Sequence, residues 1–327
     1  MGEMKYADIP GVNKKISRIF YGTASEPFQS GGDGNDLLDA IYETGVNAFD
    51  TARVYFEAER SLGNWISERG IRDKVVILTK GGHHTPLGRK RINERAIRKD
   101  LKTSLELLQT DYVDIYLLHR DDPKVEAGVI AEILNALHAE GKIGAFGGSN
   151  WSHRRIEEVN EYAYKHGLIP FTVSSPNFGL AEEVCDMWGG GSITISGPGN
   201  EDAREWYRQN QMPVVAYSSL GRGMFSGKVK SSEPEKAYLG MDEFAIKGYN
   251  CPANFERLRR CEILAEEKHC TVPQIAMAWI WSQGINTFAL VNTSKPSRMQ
   301  ENIDALYIDL TPEESEYLDL KREREDL

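Results

Sequence analysis

Short runs dense in β-branched and aromatic residues alternate along this chain with longer segments whose apolar positions recur every three or four residues. The strand-like runs fall at 18–23, 46–50, 75–80, 113–119, 143–149, 171–175, 214–218 and 287–291, eight in all. Helical spacing occupies 36–44, 58–69, 94–109, 129–140, 154–166 and 298–306. Gly45, Gly70, Gly141 and Gly167 each close a helical run and Pro296 opens one. Every interval between strands is too long for a hairpin and long enough to hold a helix, which predicts a parallel sheet. Eight such couples predict a closed (β/α)8 TIM barrel, one domain spanning residues 1–327. An open doubly wound sheet would be expected to carry an early Gly-x-Gly-x-x-Gly turn. Gly31-Gly32-Asp33-Gly34 lacks that spacing, and Gly221-Arg222-Gly223 meets Ser226 where the third Gly should stand.

Two long segments interrupt the couples, 179–200 after the sixth strand and 221–252 after the seventh. Loops of this length are lids, binding loops or disordered segments, and both follow strands, on the face where barrels build active sites. Residues 269–294 carry no acidic residue, Lys or Arg, yet Pro273, Gln274, Gln283, Gly284 and Asn286 break the stretch well short of a membrane span. It reads as a buried helix followed by a buried strand.

Composition narrows the function classes. The 39 Lys and Arg against 49 Asp and Glu leave a net charge of −10, which argues against nucleic acid as a partner. The four cysteines, Cys185, Cys251, Cys261 and Cys270, form no Cys-x-x-Cys pair and meet no His at zinc-ligand spacing. Reduced thiols in a cytoplasmic protein without a metal are expected, and the polar start of the chain has no signal-peptide pattern.

Ionisable residues in apolar contexts collect at strand ends. Asp50 ends the second run, Lys80 the third and His119 the fourth, and Tyr55 follows Asp50 by five residues. Each has a simpler reading alone: Asp50-Thr51 as a capping turn, Lys80 as a solvated loop lysine, His119 as a structural histidine. In a barrel, however, these ends converge on one mouth. A tyrosine hydroxyl, with an ordinary pKa of about 10, donates a proton at neutral pH only where a cation stabilises its phenolate. Lys80 could supply that cation, Asp50 could hold Lys80, and His119 could donate a hydrogen bond to a carbonyl oxygen. Such a set suits carbonyl reduction once hydride is supplied. His83 and His84 read as loop residues.

From about Ser17 to Leu310 the chain resembles the aldo-keto reductases. The resemblance rests on FDTA at 49–52 with Tyr55 and Glu59, on Thr79-Lys80, on DYVDIYLLH at 111–119 and on GKIGAFGGSN at 141–150. It continues with AYSSLGRG at 216–223 and PSRMQEN at 296–302. It implies an NAD(P)H-dependent enzyme interconverting an aldehyde or ketone and its alcohol, with the tetrad on Asp50, Tyr55, Lys80 and His119. Tyr55 would donate the proton, Lys80 with Asp50 would depress its pKa, and His119 would orient the carbonyl. Ser149 and Asn150 would hold the nicotinamide carboxamide, Tyr217 would stack on the ring, and Gly22 and Thr23 would line the mouth. Ser218, Leu220, Gly221 and Gly223 would meet the pyrophosphate, and Thr293, Arg298, Gln300, Glu301 and Asn302 would hold the adenosine end.

Three positions depart from the family's pattern. Ser175 stands where many members have a carboxamide-clamping Gln, Asn292 where many have a Lys on the 2′-phosphate, and Phe56 where Gly is common. Arg298, with Lys295 nearby, still favours NADPH, with NADH possible. Phe20, Phe56, Trp151 and Trp188 are candidate walls for a small-molecule carbonyl or alcohol substrate. Two other readings stay open. One is a cofactor-sensing interaction subunit resembling potassium-channel β subunits, with little or no turnover. The other is a metal-dependent barrel hydrolase or isomerase, which would need more carboxylates or histidines at strand ends.

Overall fold

In a computed structural model, which describes residues 2–324, the eight expected parallel strands are present and form a closed barrel. A two-residue antiparallel pair, β1 (Tyr6–Ala7) and β2 (Ile16–Ser17), precedes them. The barrel strands are β3 (Ile19–Gly22), β4 (Ala48–Asp50), β5 (Val76–Gly81), β6 (Val113–Leu118), β7 (Ile143–Ser149), β8 (Val173–Ser175), β9 (Val214–Ala216) and β10 (Thr287–Val291). Their order is β10-β3-β4-β5-β6-β7-β8-β9.

The helices are α1 (Asn35–Glu43), α2 (Ala58–Arg69), α3 (Glu94–Leu108), α4 (Ala127–Ala139), α5 (His153–Lys165) and α6 (Glu201–Asn210). They continue with α7 (Glu243–Tyr249), α8 (Pro252–Glu267), α9 (Val272–Ser282), α10 (Pro296–Asp304) and α11 (Pro312–Leu318). Their limits have local causes. The Asn93 side chain caps α3 and the Ser152 side chain caps α5, each accepting from a backbone N–H of the first turn, while Gly70 ends α2 at φ +60°. None of the described helices is long and apolar enough to cross a membrane.

The chain packs as two compact units, residues 4–175 and, among the described residues, 176–324 with 2–3. The first holds β1 to β8 and α1 to α5. Strand alternation there decides which side chains reach the site. Phe49 turns to the helical layer, where its ring lies 5.0 Å from that of Trp65 on α2 and 6.4 Å from that of Tyr21. Its neighbour Asp50 therefore faces the other way. Asp50 pairs with Leu78, and Lys80 lies one pleat further along the same face of β5. Thr79, between them, turns outward and donates to Glu59 of α2 at 2.7 Å.

The second unit holds β9, β10 and α6 to α11. The 221–252 segment is more ordered than its Gly, Ser and Lys content predicts, since it contains a 3-10 turn at Pro234–Leu239 and all of α7. Arg222 pairs with Asp242 at 2.6 Å and lies 4.8 Å above the Trp188 ring, which stacks on Phe244 at 5.6 Å. These contacts join the two long segments. A Cβ on Gly223 would come within 2.1 Å of the Gly240 carbonyl, and its φ of +107° disfavours any side chain, so loop packing and backbone conformation both require this glycine.

Candidate active site

The tetrad expected at the strand ends assembles within the 4–175 unit. Asp50, Lys80 and His119 are 1%, 3% and 7% exposed, and Tyr55 is half-buried. The Lys80 ammonium donates to the Asp50 carboxylate and, at 3.0 Å, to the Thr51 carbonyl. Its Nζ lies 5.2 Å from the centre of the Tyr55 ring. The His119 ring meets Tyr55 edge-on at 5.8 Å. Backbone bonds fix the spacing: Thr51 N–H donates to Leu78, Arg53 N–H to Lys80 and His119 N–H to Gly81, at 2.8–2.9 Å.

The electrostatics follow from burial. Burial alone would lower the Lys80 pKa, but Asp50 and Tyr55 outweigh it and the pKa is raised, so Lys80 stays an ammonium. Burial raises Asp50 despite Lys80's opposition. Burial also raises Tyr55 overall. Lys80 pulls it back down, Asp50 pushes it up and Arg120 pulls it down. The expectation that Lys80 and Asp50 together depress the Tyr55 pKa thus divides between them: the ammonium lowers it, while the carboxylate works through holding Lys80. Burial, then Lys80 and the neighbouring basic groups, drive His119 well below the usual histidine range. It is a neutral imidazole, with one N–H and one lone pair. Its buried Nδ1 has no partner among the described residues.

Further along β7 the Ser149 hydroxyl donates to the Ser175 carbonyl at 3.1 Å. The Asn150 side-chain amide donates to Ser149 Oγ at 3.1 Å and to the His119 carbonyl at 3.4 Å. The buried Ser175 hydroxyl is unpartnered among the described residues. Thr23 donates to the Asp50 carbonyl and is buried like Gly22. Phe56 and Asn150 hold left-handed backbone, φ +50° and +60°, as do Ser218 and Arg222 in the second unit. Such conformations gather where a chain serves function.

Of the aromatic candidates, Phe20 is fully buried on β3, Trp151 is buried against Phe171, and Phe56 is 70% exposed. Trp188 lies in the stack with Phe244.

The remaining positions lie in the second unit. Tyr217 is bridged to Asn177, and the Ser218 carbonyl accepts from the Gly221 N–H at 2.8 Å. Leu220, Gly221 and Gly223 form the turn whose N–H groups close on Ser218 and Leu220. Around α10, Thr293 Oγ1 accepts from the Lys295 N–H, and Glu301 offers its carbonyl to Gln274. Asn302 is buried and Asn292 exposed. The Gln300 amide is spent on the Gly2 carbonyl and Asp304, at 2.9 and 3.0 Å. Lys295 and Arg298 have no carboxylate partner among the described residues, which suits a phosphate contact.

Two groups that sequence reasoning set aside or passed over lie beside the tetrad. The His83 ring packs edge-on against His119 at 4.8 Å, and Arg120 is buried next to them. Only the fold brings the Gly81-Gly82 turn back over β6. A Cβ on Gly81 would fall 2.0 Å from the Tyr116 hydroxyl, and Gly82, at φ +71°, donates its N–H to Asp100 at 2.9 Å. Among the described residues no group of three His, Cys, Asp or Glu could hold a metal ion.

A barrel of this order with a Tyr-Lys-Asp-His cluster at its strand ends defines a class of oxidoreductase, and the comparisons agree. The Aldo/keto reductase family profile matches residues 18–323, and the chain belongs to that family. A probable aryl-alcohol dehydrogenase of Saccharomyces cerevisiae is 30% identical over 299 residues, 87% of this chain and 86% of that one. Norsolorinic acid reductase A of Aspergillus parasiticus is 27% identical, over 95% of this chain and 79% of that one. Among solved structures, the glycerol dehydrogenase of Gluconobacter oxydans superposes with a TM-score of 0.75 at 26% identity, covering 97% of this chain and 94% of that one.

Proposed function

We propose that this protein is a single-domain NAD(P)H-dependent oxidoreductase that reduces an aldehyde or ketone, and oxidises the alcohol in reverse, with Tyr55 as the proton donor. The observation that carries the reading is the buried Lys80–Asp50 pair set against Tyr55, with the Lys80 ammonium 5.2 Å from the centre of its ring. The bound nicotinamide would supply hydride from its C4. Tyr55 gives its hydroxyl proton to the carbonyl oxygen, and the Lys80 ammonium stabilises the phenolate left behind. Asp50 keeps Lys80 charged and in place. Neutral His119 offers a hydrogen-bond donor to the same oxygen without competing as an acid. Ser149, Asn150 and Ser175 would hold the carboxamide, and Tyr217 would stack on the ring.

The turn at Ser218, Leu220, Gly221 and Gly223 is proposed for the pyrophosphate, and Thr293 with the 298–302 segment for the adenosine end. NADPH is favoured over NADH because Lys295 and Arg298 are both available for a 2′-phosphate. A cytoplasmic setting accords with four cysteines free of disulfides. The relatives, named for aryl alcohols, norsolorinic acid and glycerol, share carbonyl–alcohol chemistry and differ in substrate. The test is a titration of NADPH against NADH, followed by single-turnover oxidation of the reduced cofactor across a carbonyl panel. Tighter NADPH binding and turnover of some members are expected. Binding without turnover on any carbonyl would overturn the reading in favour of a sensing subunit.

A further inference from the structure

We propose that Arg120 anchors an anionic group on the substrate, so that the preferred carbonyl compounds carry a carboxylate or a phosphate. The inference rests on the reductase reading of Tyr55. Arg120 follows His119 directly and is only 6% exposed. Among the described residues its guanidinium has no carboxylate partner, and its one hydrogen bond is a 3.4 Å contact with the adjoining His119 carbonyl. Its buried Nε has no acceptor at all. A buried, ionised guanidinium left without a counter-charge is an arrangement that proteins avoid unless something else neutralises it.

Neither nearby acid reaches Arg120 as an ion pair among the described residues, although the buried Asp121 Oδ1 has no hydrogen-bond partner. Asp121 pairs with Arg155 at 3.4 Å, and Asp122 accepts from the Lys124 N–H. The groups that feel the Arg120 charge are those of the site, namely Tyr55, His119, His83 and His84, each of which it pulls downward in pKa. The guanidinium is therefore within electrostatic reach of the tetrad, and its hydrogen bond to the His119 carbonyl holds it beside that residue. Burial first, with the neighbouring cations, brings His83 down to about 4, so it adds no competing positive charge at neutral pH. Its Nδ1 hydrogen-bonds the His84 carbonyl at 3.0 Å, and Arg91 steadies the same loop by donating to the His83 carbonyl and pairing with Asp100. The planar fork of Arg120 matches a carboxylate or phosphate through two parallel hydrogen bonds.

The experiment compares matched probes with the full-length protein: 4-carboxybenzaldehyde against benzaldehyde, and glyceraldehyde 3-phosphate against glyceraldehyde. Terephthalate binding is measured in parallel by calorimetry, which needs no turnover. A kcat/KM at least about tenfold higher for the charged member of one pair is expected, carried by KM. The carboxylate pair and the phosphate pair separate the two sources of anion. Arg120→Met should erase that preference and weaken terephthalate binding about tenfold or more, the loss in kcat/KM being larger for the charged member of the pair than for benzaldehyde. Arg120→Lys, which keeps the charge and loses the fork, should fall between and serves if the Met variant does not fold.

Equal kcat/KM within both pairs in the wild type would overturn the proposal, as would a preference or terephthalate affinity that survives Arg120→Met. If no probe is turned over, the reductase reading fails separately. The terephthalate titration then decides the anion site by itself.

Discussion

At the scale of single residues, the proposed reaction separates the charge that would help proton transfer, on Lys80, from the charge that positions it, on Asp50. Lys80→Met would leave the Asp50 carboxylate buried and unpaired, which should cost about 3–5 kcal/mol in urea unfolding along with most of the activity. The histidines beside it predict a pH dependence of stability. His119 and His83 have folded pKa values below their ordinary 6.5, and burial is the first cause for both. The unfolded chain takes up protons as pH falls through about 6.5, whereas the folded protein resists until about 4 at His83, and His119, held well below the usual histidine range by burial, resists likewise. Their contribution is present above pH 6.5 and is lost as pH falls through that window. A Tm series from pH 7 to pH 4 should decline, and His83→Gln should decline less. Asp50, Lys80 and His119 were legible because each ionisable side chain closes an otherwise apolar run. Arg120 and His83 were not, because nothing in their neighbours' sequence tells that a guanidinium lacks a counter-charge or that a loop folds back onto a strand end.

At the scale of elements, the strand ends place the chemistry and the loops hold it still. Asp100 on α3 clamps the turn after β5, accepting from the Gly82 N–H and pairing with Arg91. Asp100→Ala should cost about 2–4 kcal/mol in denaturant unfolding and loosen the loop carrying His83, seen as faster amide exchange at residues 82–84. Phe56 holds a φ of +50°, a backbone conformation that favours Gly. Phe56→Gly should relieve left-handed strain of about 1–2 kcal/mol against a comparable Gly entropy cost. Tm is therefore expected to hold within a few degrees while discrimination among carbonyl substrates changes. Most strands and six helices were readable from period alone. The β1–β2 pair was not, since strands of two residues carry no periodicity, and α7 was hidden in a stretch whose Gly, Ser and Lys content resembles a loop. α6, with three Glu and Asp and two Arg in ten residues, gave no apolar stripe strong enough to separate it from its flanks.

At the scale of the whole molecule, a net charge of −10 coexists with basic side chains that have no acidic partner among the described residues. Lys295 and Arg298 are available on the 176–324 unit, and Arg120 is buried on the 4–175 unit. Arg298→Ala should weaken NADPH binding about tenfold while leaving NADH nearly unchanged, read by fluorescence titration of each cofactor. The same loss for both cofactors would remove Arg298 from the 2′-phosphate. The family was legible because its motifs sit at strand ends in a fixed order. The substrate was not, because it depends on which buried groups lack partners, and only the assembled fold reveals that. The central claim, that Tyr55 supplies the proton for carbonyl reduction, is tested most directly by comparing the wild type with Tyr55→Phe in single-turnover oxidation of bound NADPH. The account predicts a rate lower by about 10²–10⁴-fold with NADPH affinity unchanged. A Tyr55→Phe enzyme turning over at the wild-type rate would contradict it.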